Sequence, residues 1–248
     1  MSTDTAVKEM PKTEAAPEQV YRIFPAIAGK YRLFNSVSSL GLYKSWLRKM
    51  VSLCPLDATT DLLDIAGGTG DVSFMAACKK HPRHIQLTDL VPEMLEVAHR
   101  RWEHGEACGV PLDFAVVEAH SIPYADNSYD VVTLAYGIRN MRERERALTE
   151  ILRVLKPGGT LVCLEFSKPT NAFFRVFHSL YLNYMIPFWG MLITGDREGF
   201  IYLKESIKAF PDQKSYAVML ESAGFTQVKW VNCSAGITAI HTGVKKGQ

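Results

Sequence analysis

Asp61-Leu62-Leu63-Asp64-Ile65-Ala66-Gly67-Gly68-Thr69-Gly70-Asp71 is the stretch on which the reading of the fold turns. Residues 61–66 form a short apolar run closed by glycines, the pattern of a strand buried on both faces. The glycines let the backbone turn sharply and approach a ligand with no Cβ in the way. Asp71 to Lys80 then reads as a helix, so the unit is strand, glycine turn, helix. Moving outward, Ile85 to Thr88 is a second strand, closed by Asp89, 19 residues after Gly70. An acid at that distance suits the two hydroxyls of a ribose.

The alternation continues. Pro92 opens a helix running to about Glu103, and Leu112 to Val117 is a third strand. Glu118 and Ala119 follow it, an acceptor for an adenine amino group and a small residue to face the ring. Tyr129 to Tyr136 is a fourth strand. Glu143 to Leu155 is a helix closed by Pro157-Gly158-Gly159, and Thr160 to Phe166 a fifth strand. Such a chain forms an α/β, doubly wound parallel sheet with ligands outside the carboxyl ends of its strands. Its end departs from the pattern: a helix over 212–223 precedes strands over 226–231 and 236–244, joined by a short turn. Only an antiparallel pair tolerates so short a connection. A mostly parallel sheet with a C-terminal hairpin resembles the class I S-adenosylmethionine-dependent methyltransferase fold. The rival is a nicotinamide dehydrogenase. Its third glycine would fall at Ser73, and no tyrosine has a lysine four residues on. A tight turn with no ligand is the bland alternative.

With 248 residues, 47% of them apolar, the chain can bury one sizeable core. The expected organisation is a disordered leader over 1–18 and one domain over 19–248. Within that domain, 19–56 is a helical lead-in, with turns near Pro25 and Gly41, and 167–210 an apolar insertion or lid. The leader lacks the apolar run of a signal peptide. A net charge of +2 gives no reason to expect a strong electrostatic pull on nucleic acid or anionic lipid, so membrane contact is expected to be hydrophobic and reversible. Five scattered cysteines without a C-x-x-C pair read as reduced thiols of a cytoplasmic protein, with no metal site.

More specific segments follow. They are Ala135-Tyr136-Gly137-Ile138-Arg139-Asn140, Arg153 to Gly159, Leu164-Glu165-Phe166-Ser167-Lys168-Pro169, Tyr202 to Ile207, Phe210-Pro211-Asp212-Gln213 and Gly236 to His241. In this order, from about Val20 to Lys245, they resemble the menaquinone and ubiquinone biosynthesis C-methyltransferases, the demethylmenaquinone methyltransferase family. The resemblance implies S-adenosyl-L-methionine as cofactor and a ring carbon of a polyprenylated quinol as acceptor. It places cofactor contacts at Thr69, Asp89, Glu118 and Ala119, and the loop argument adds Gly67. The chain departs from the family at Ala135, where serine is usual, at Arg32, where an acid is usual, and at Tyr43, where histidine is common. Trp46 is retained.

Methylating a ring carbon requires a nucleophilic ring, and loss of a phenolic proton, ordinarily near pH 10, supplies it. Arg139 is the leading candidate to stabilise the phenolate or polarise a water, with Asn140 and Tyr31 positioning the ring. The bland reading of Arg139 is a surface salt bridge in an arginine-rich run. Glu165 ranks below it, and His120 and His241 read as structural. Residues 172–194 are the most apolar stretch, with Phe173, Phe177, Leu180 and Tyr184 at helical spacing. Packing on the sheet explains them, and so does a lid that holds a prenyl tail and touches the bilayer peripherally on its cytoplasmic face. Demethylmenaquinol is the expected substrate. A benzoquinol, another lipid or phenol, and a non-catalytic scaffold remain alternatives, and a homodimer stays open.

Overall fold

The computed structural model describes residues 18–194 and 197–247, so all of the expected leader but Glu18 lies outside the described residues. The lead-in comprises α1 (Glu18–Ile27), α2 (Tyr31–Ser38) and α3 (Tyr43–Leu53). Then come β1 (Asp61–Ile65), α4 (Asp71–Lys80), β2 (His84–Asp89), α5 (Pro92–Glu103), β3 (Leu112–Val116), β4 (Tyr129–Ala135), α6 (Arg144–Val154) and β5 (Leu155–Phe166). The insertion holds α7 (Ala172–Leu180), α8 (Ile186–Thr194) and α9 (Arg197–Ala209), and α10 (Gln213–Ser222), β6 (Phe225–Cys233) and β7 (Thr238–Lys245) close the chain.

The strands form one sheet in the order β3-β2-β1-β4-β5-β7-β6. The first five pair in parallel, and β7 runs antiparallel to both β5 and β6. The expected hairpin is there, and β7 rather than β6 docks on the parallel part. Successive residues of β1 explain its unbroken apolar character. Leu62 packs in a cluster with α3 and α4, whereas Leu63 and Ile65 pack on the other face with α6 and α10. Asp64 is buried within β1, where Ser73 and Thr133 donate to its carboxylate at 2.6 and 2.7 Å.

The structure corrects three expectations. Pro25 lies inside α1, and the break falls three residues later, at the single turn Ala28–Lys30. Pro25 stands in the last turn of α1, so its missing N–H bond falls just before the helix gives way to that single turn. Gly41, at φ +80°, does separate α2 from α3. Lys156 to Gly159 belongs to β5 rather than to a helix cap: Leu155 already pairs with Tyr129, and the ladder resumes at Thr160 opposite Val131 after a bulge. The helix expected over 172–194 is there as α7 and α8, joined without a break through one wide turn over Tyr181–Met185 just before Pro187, which has no N–H to donate. Finally, Cys78 and Cys108 form a disulfide, leaving Cys54, Cys163 and Cys233 free. Thirty residues separate the pair in sequence, but the end of α4 and the turn after α5 lie side by side, with the two Cα atoms 5.2 Å apart. No described helix is long and apolar enough to cross a membrane.

Candidate active site

The strand order reverses between β1 and β4, where an open sheet forms a crevice beyond its carboxyl ends. Both strands leave through a left-handed residue that is not glycine, Ala66 at φ +51° and Tyr136 at φ +56°. Such backbone is costly and marks functional turns. Gly137 is obligatory beside them, since a Cβ there would stand 2.6 Å from that of Ala66.

Two cavities meet at this point. The first is a slot bounded by Ala66 and Gly68, by Asp89, Leu90, Val91 and Met94 from the end of β2 onward, and by Val117 to His120. Gly68, at φ +57°, donates its N–H to Asp89 Oδ2 at 2.8 Å, and Val91 N–H donates to Oδ1 at 2.9 Å. Burial pushes the Asp89 carboxyl up to about 6 in spite of these donors. Glu118 stands farther along the slot, with His120 Nδ1 at 3.3 Å from its Oε1. His120 is buried, and neither ring nitrogen makes a hydrogen bond. An acid at one end, a second acid and an unsatisfied ring farther in, and apolar walls between them fit a nucleoside: hydroxyls on Asp89, base between Met94 and Ala119.

The second cavity, of about 300 Å³, is almost wholly apolar. Ile23, Phe24, Phe34 and Trp46 of the lead-in line one side, and Phe177, Leu182 and Ile186 of the insertion the other. Phe24, Tyr31 and Tyr136 border both spaces. Among the described residues, the one charged side chain in its wall is Arg139, on the turn Ile138–Asn140 after β4. Arg139 is buried, which rules out the surface salt bridge. Its Nη1 donates to Glu165 Oε1 at 2.9 Å and to the Tyr136 carbonyl. Its guanidinium carbon lies 5.3 Å from the Phe166 ring centroid, and its Nε is buried without a partner. Burial raises the Glu165 carboxyl above its ordinary range, with Arg139 opposing that rise. Burial also raises the Tyr31 and Tyr136 phenols, so both remain neutral donors.

The expected residues therefore separate. Asp89, Glu118 and Ala119 line the slot; Gly67 and Thr69 do not. Gly67 backs onto Asp64, whose Oδ2 would lie 3.0 Å from a Cβ at that position, and the Thr69 hydroxyl is buried with no partner. Arg139 and Tyr31 face the apolar cavity, while Asn140 borders the slot and accepts from Tyr202 at 3.0 Å. Gly68, Met94 and Tyr136 complete the site without having been singled out, and His120, which read as structural, borders the slot. Tyr136 alone carried a signal, as the last residue of an apolar run. His241 is structural: it packs on Trp230 and Tyr216, and its Nε2 lies 2.9 Å from the Gln213 carbonyl.

The two departures in the lead-in converge on one acid. Asp71, first residue of α4, lies 3.4 Å from Arg32 Nε and accepts from Tyr43 Oη at 3.3 Å. Arg101 of α5 bonds the same carboxylate at 2.8 Å, donates to the Thr69 carbonyl, and holds Glu106 at 2.7 Å.

A sheet of this order, with a glycine turn and an acid-lined nucleoside slot at its reversal, defines a class I S-adenosylmethionine-dependent methyltransferase. Solved structures share the fold at low sequence identity. The [4+2]-cyclase SpnF superposes with a TM-score of 0.68 at 20% identity, covering 96% of this chain and 100% of that one. Phosphoethanolamine N-methyltransferase 2 of Haemonchus contortus, solved with S-adenosylhomocysteine, gives 0.68 at 16% identity, covering 96% and 62%. The chain belongs to the ubiE/COQ5 methyltransferase family, the match spanning residues 12–245. Relatives named ubiquinone/menaquinone biosynthesis C-methyltransferase UbiE include that of Hahella chejuensis, 37% identical over 246 residues and 98% of each chain. The Dinoroseobacter shibae protein is 41% identical over 226 residues, 91% of this chain and 90% of its own. The methyl donor is S-adenosylmethionine.

Proposed function

We propose that the protein methylates a ring carbon of a polyprenylated quinol, with demethylmenaquinol as its substrate. The observation that carries this reading is Arg139: a buried cation with an unpartnered Nε, set in the wall of an apolar cavity that meets the slot at Tyr31 and Tyr136. A flat ring with an isoprenoid tail suits such a space. The tail lies among the phenylalanines and leucines of lead-in and insertion, and the ring hydroxyls meet the tyrosines and Arg139.

Bound S-adenosylmethionine supplies an electrophilic methyl and leaves as a neutral thioether. The chain's own residues make the ring reactive. Arg139 stays charged throughout, so it acts by stabilising the phenolate as the hydroxyl proton passes to water. Glu165 neutralises the guanidinium in the resting site and fixes its orientation. The ring carbon then forms the new carbon–carbon bond as the methyl's carbon–sulfur bond breaks, and the ring carbon's own proton passes to water, which restores an aromatic phenolate that takes up a proton on release. Tyr31 and the lead-in hold bulk water off the rest of the ring, which strengthens the electrostatics around the one water that takes the proton. Asp89 holds the ribose, and Asn140, tied to Tyr202, shapes the floor between slot and ring.

Exposed Phe173, Val176, Phe177 and Leu180 lie on α7 beside the apolar cavity. On this reading the helix rests on the bilayer that holds the quinol, peripherally and reversibly. Turnover of demethylmenaquinol and of a demethylated benzoquinol, followed with labelled S-adenosylmethionine, tests the assignment. Faster labelling of the naphthoquinol ring supports it. Labelling of neither ring overturns it.

A further inference from the structure

Back to back with the apolar cavity is a third cleft, of about 340 Å³, lined by charged and polar side chains together with Pro169, Leu182 and Ile207. His178, Leu182 and Ile207 form the wall between the two. Lys168, Arg175 and Lys208 bring three positive charges to the cleft, and Asp212 one negative. Asp212 is committed elsewhere, since its carboxylate accepts from Ser215 N–H at 2.8 Å and caps α10. Lys168 donates to the Lys208 carbonyl and keeps its charge in place. Lys208 has only distant partners, Asn183 Oδ1 at 3.5 Å and Glu205 Oε1 at 3.9 Å. Arg175 makes no ion pair among the described residues. At the base of the cleft Ser167 is buried, and its hydroxyl has no hydrogen-bond partner. A buried, unsatisfied hydroxyl beneath converging cations is a site in need of an anionic acceptor.

We propose that this cleft binds the phosphodiester headgroup of an anionic lipid. The phosphoryl oxygens accept from Ser167 Oγ and sit among Lys168, Arg175 and Lys208. The shape of α7 assigns the lipid over a soluble phosphate. Arg175, His178 and Ser179 share one side of this helix, and exposed Phe173, Val176, Phe177 and Leu180 the opposite one. A helix so divided lies in the plane of a membrane surface, its cations at headgroup depth. The proposal rests on the reading that α7 meets a bilayer, and adds a headgroup preference to it.

Vesicle sedimentation separates the two ideas. Phosphatidylcholine vesicles measure the apolar contact alone, and vesicles doped with phosphatidylglycerol add the headgroup charge. Each basic residue at a surface contributes about fivefold, so the full chain should bind the doped vesicles at least about tenfold more tightly. Arg175→Gln/Lys208→Gln should lose most of that excess and bind phosphatidylcholine as before. Lys79→Gln/Lys80→Gln, which removes the same charge at the end of α4, should keep it, and Ser167→Ala should lose part of it. An excess that survives in Arg175→Gln/Lys208→Gln, or falls equally in the α4 control, overturns the proposal. Inorganic phosphate that raises the melting temperature through Arg175 and Lys208, with no vesicle excess, also overturns the lipid assignment. Absent phosphatidylcholine binding with an intact excess would sink the apolar reading and support the cleft.

Discussion

Two buried charges decide how this site behaves, and each can be tested by itself. Asp89 has a carboxyl raised to about 6 against an ordinary value near 4. A raised acid binds its proton more readily folded than unfolded, so it lowers stability as pH rises from about 4 to about 6. The ribose contact has the opposite sign, because hydroxyls need a carboxylate acceptor. Cofactor affinity should therefore fall as pH drops through about 6, while the free protein becomes no less stable from this group. Asp89→Asn, which keeps only one of the two acceptors, should bind S-adenosylhomocysteine at least about tenfold more weakly and lose this group's pH dependence of melting between about 4 and about 6, as calorimetry can show. Arg139 demands a paired design. Removing it alone leaves Glu165 buried without a counter-charge, at a cost of roughly 3–5 kcal/mol. In Arg139→Gln/Glu165→Gln the charge is gone but the pair is not broken. That variant should fold, bind S-adenosylhomocysteine normally and turn over about a hundredfold to a thousandfold more slowly. Near-normal turnover would remove Arg139 from the reaction. The carboxylates of the slot could be read from the sequence because they end strands. The Arg139–Glu165 pair could not: the partners stand 26 residues apart on adjacent strand ends, and only the β4–β5 register brings them together.

At the level of elements, periodicity found every strand and most helices. It erred where backbone chemistry, not burial, set the boundary. Pro157 and Gly158 look like a helix stop and belong to a strand that carries a bulge. The disulfide was hidden for a different reason. Spacing identifies cysteine motifs, but a pair joining α4 to the turn after α5 follows from topology alone. Denatured protein kept from reductant should titrate three thiols of five. By the loop-closure relation, reduction or Cys108→Ser should cost about 3–4 kcal/mol. The Asp71 clasp ties α2, α3 and α5 to the start of the cofactor helix. Asp71→Asn should free Arg101 from the loop carbonyl's neighbour and weaken cofactor binding more than it lowers the melting temperature. It also gives Arg32 and Tyr43 a shared purpose that neither shows as an isolated departure from the family pattern.

For the molecule as a whole, the proposed reading puts the donor site on the sheet and has the two added segments, lead-in and insertion, build the acceptor site against it. The sequence marked these segments as apolar and helical, but that they face each other across one cavity is a property of the assembled fold. Saturating S-adenosylhomocysteine, at a hundred times its dissociation constant, should stabilise the protein by about 2.7 kcal/mol. For a chain of this size that is a rise of roughly 5–10 °C in melting temperature. A flat melting curve would point to a scaffold without a working site. Phe24 and Tyr31 belong to the walls of both cavities at once. Filling either space holds these two rings still, so whichever molecule arrives second finds part of its wall already set. Donor and acceptor are thus thermodynamically linked, and by reciprocity each must tighten the other by the same factor. A quinone analogue should sharpen cofactor affinity, and spent cofactor should delay release of the methylated ring.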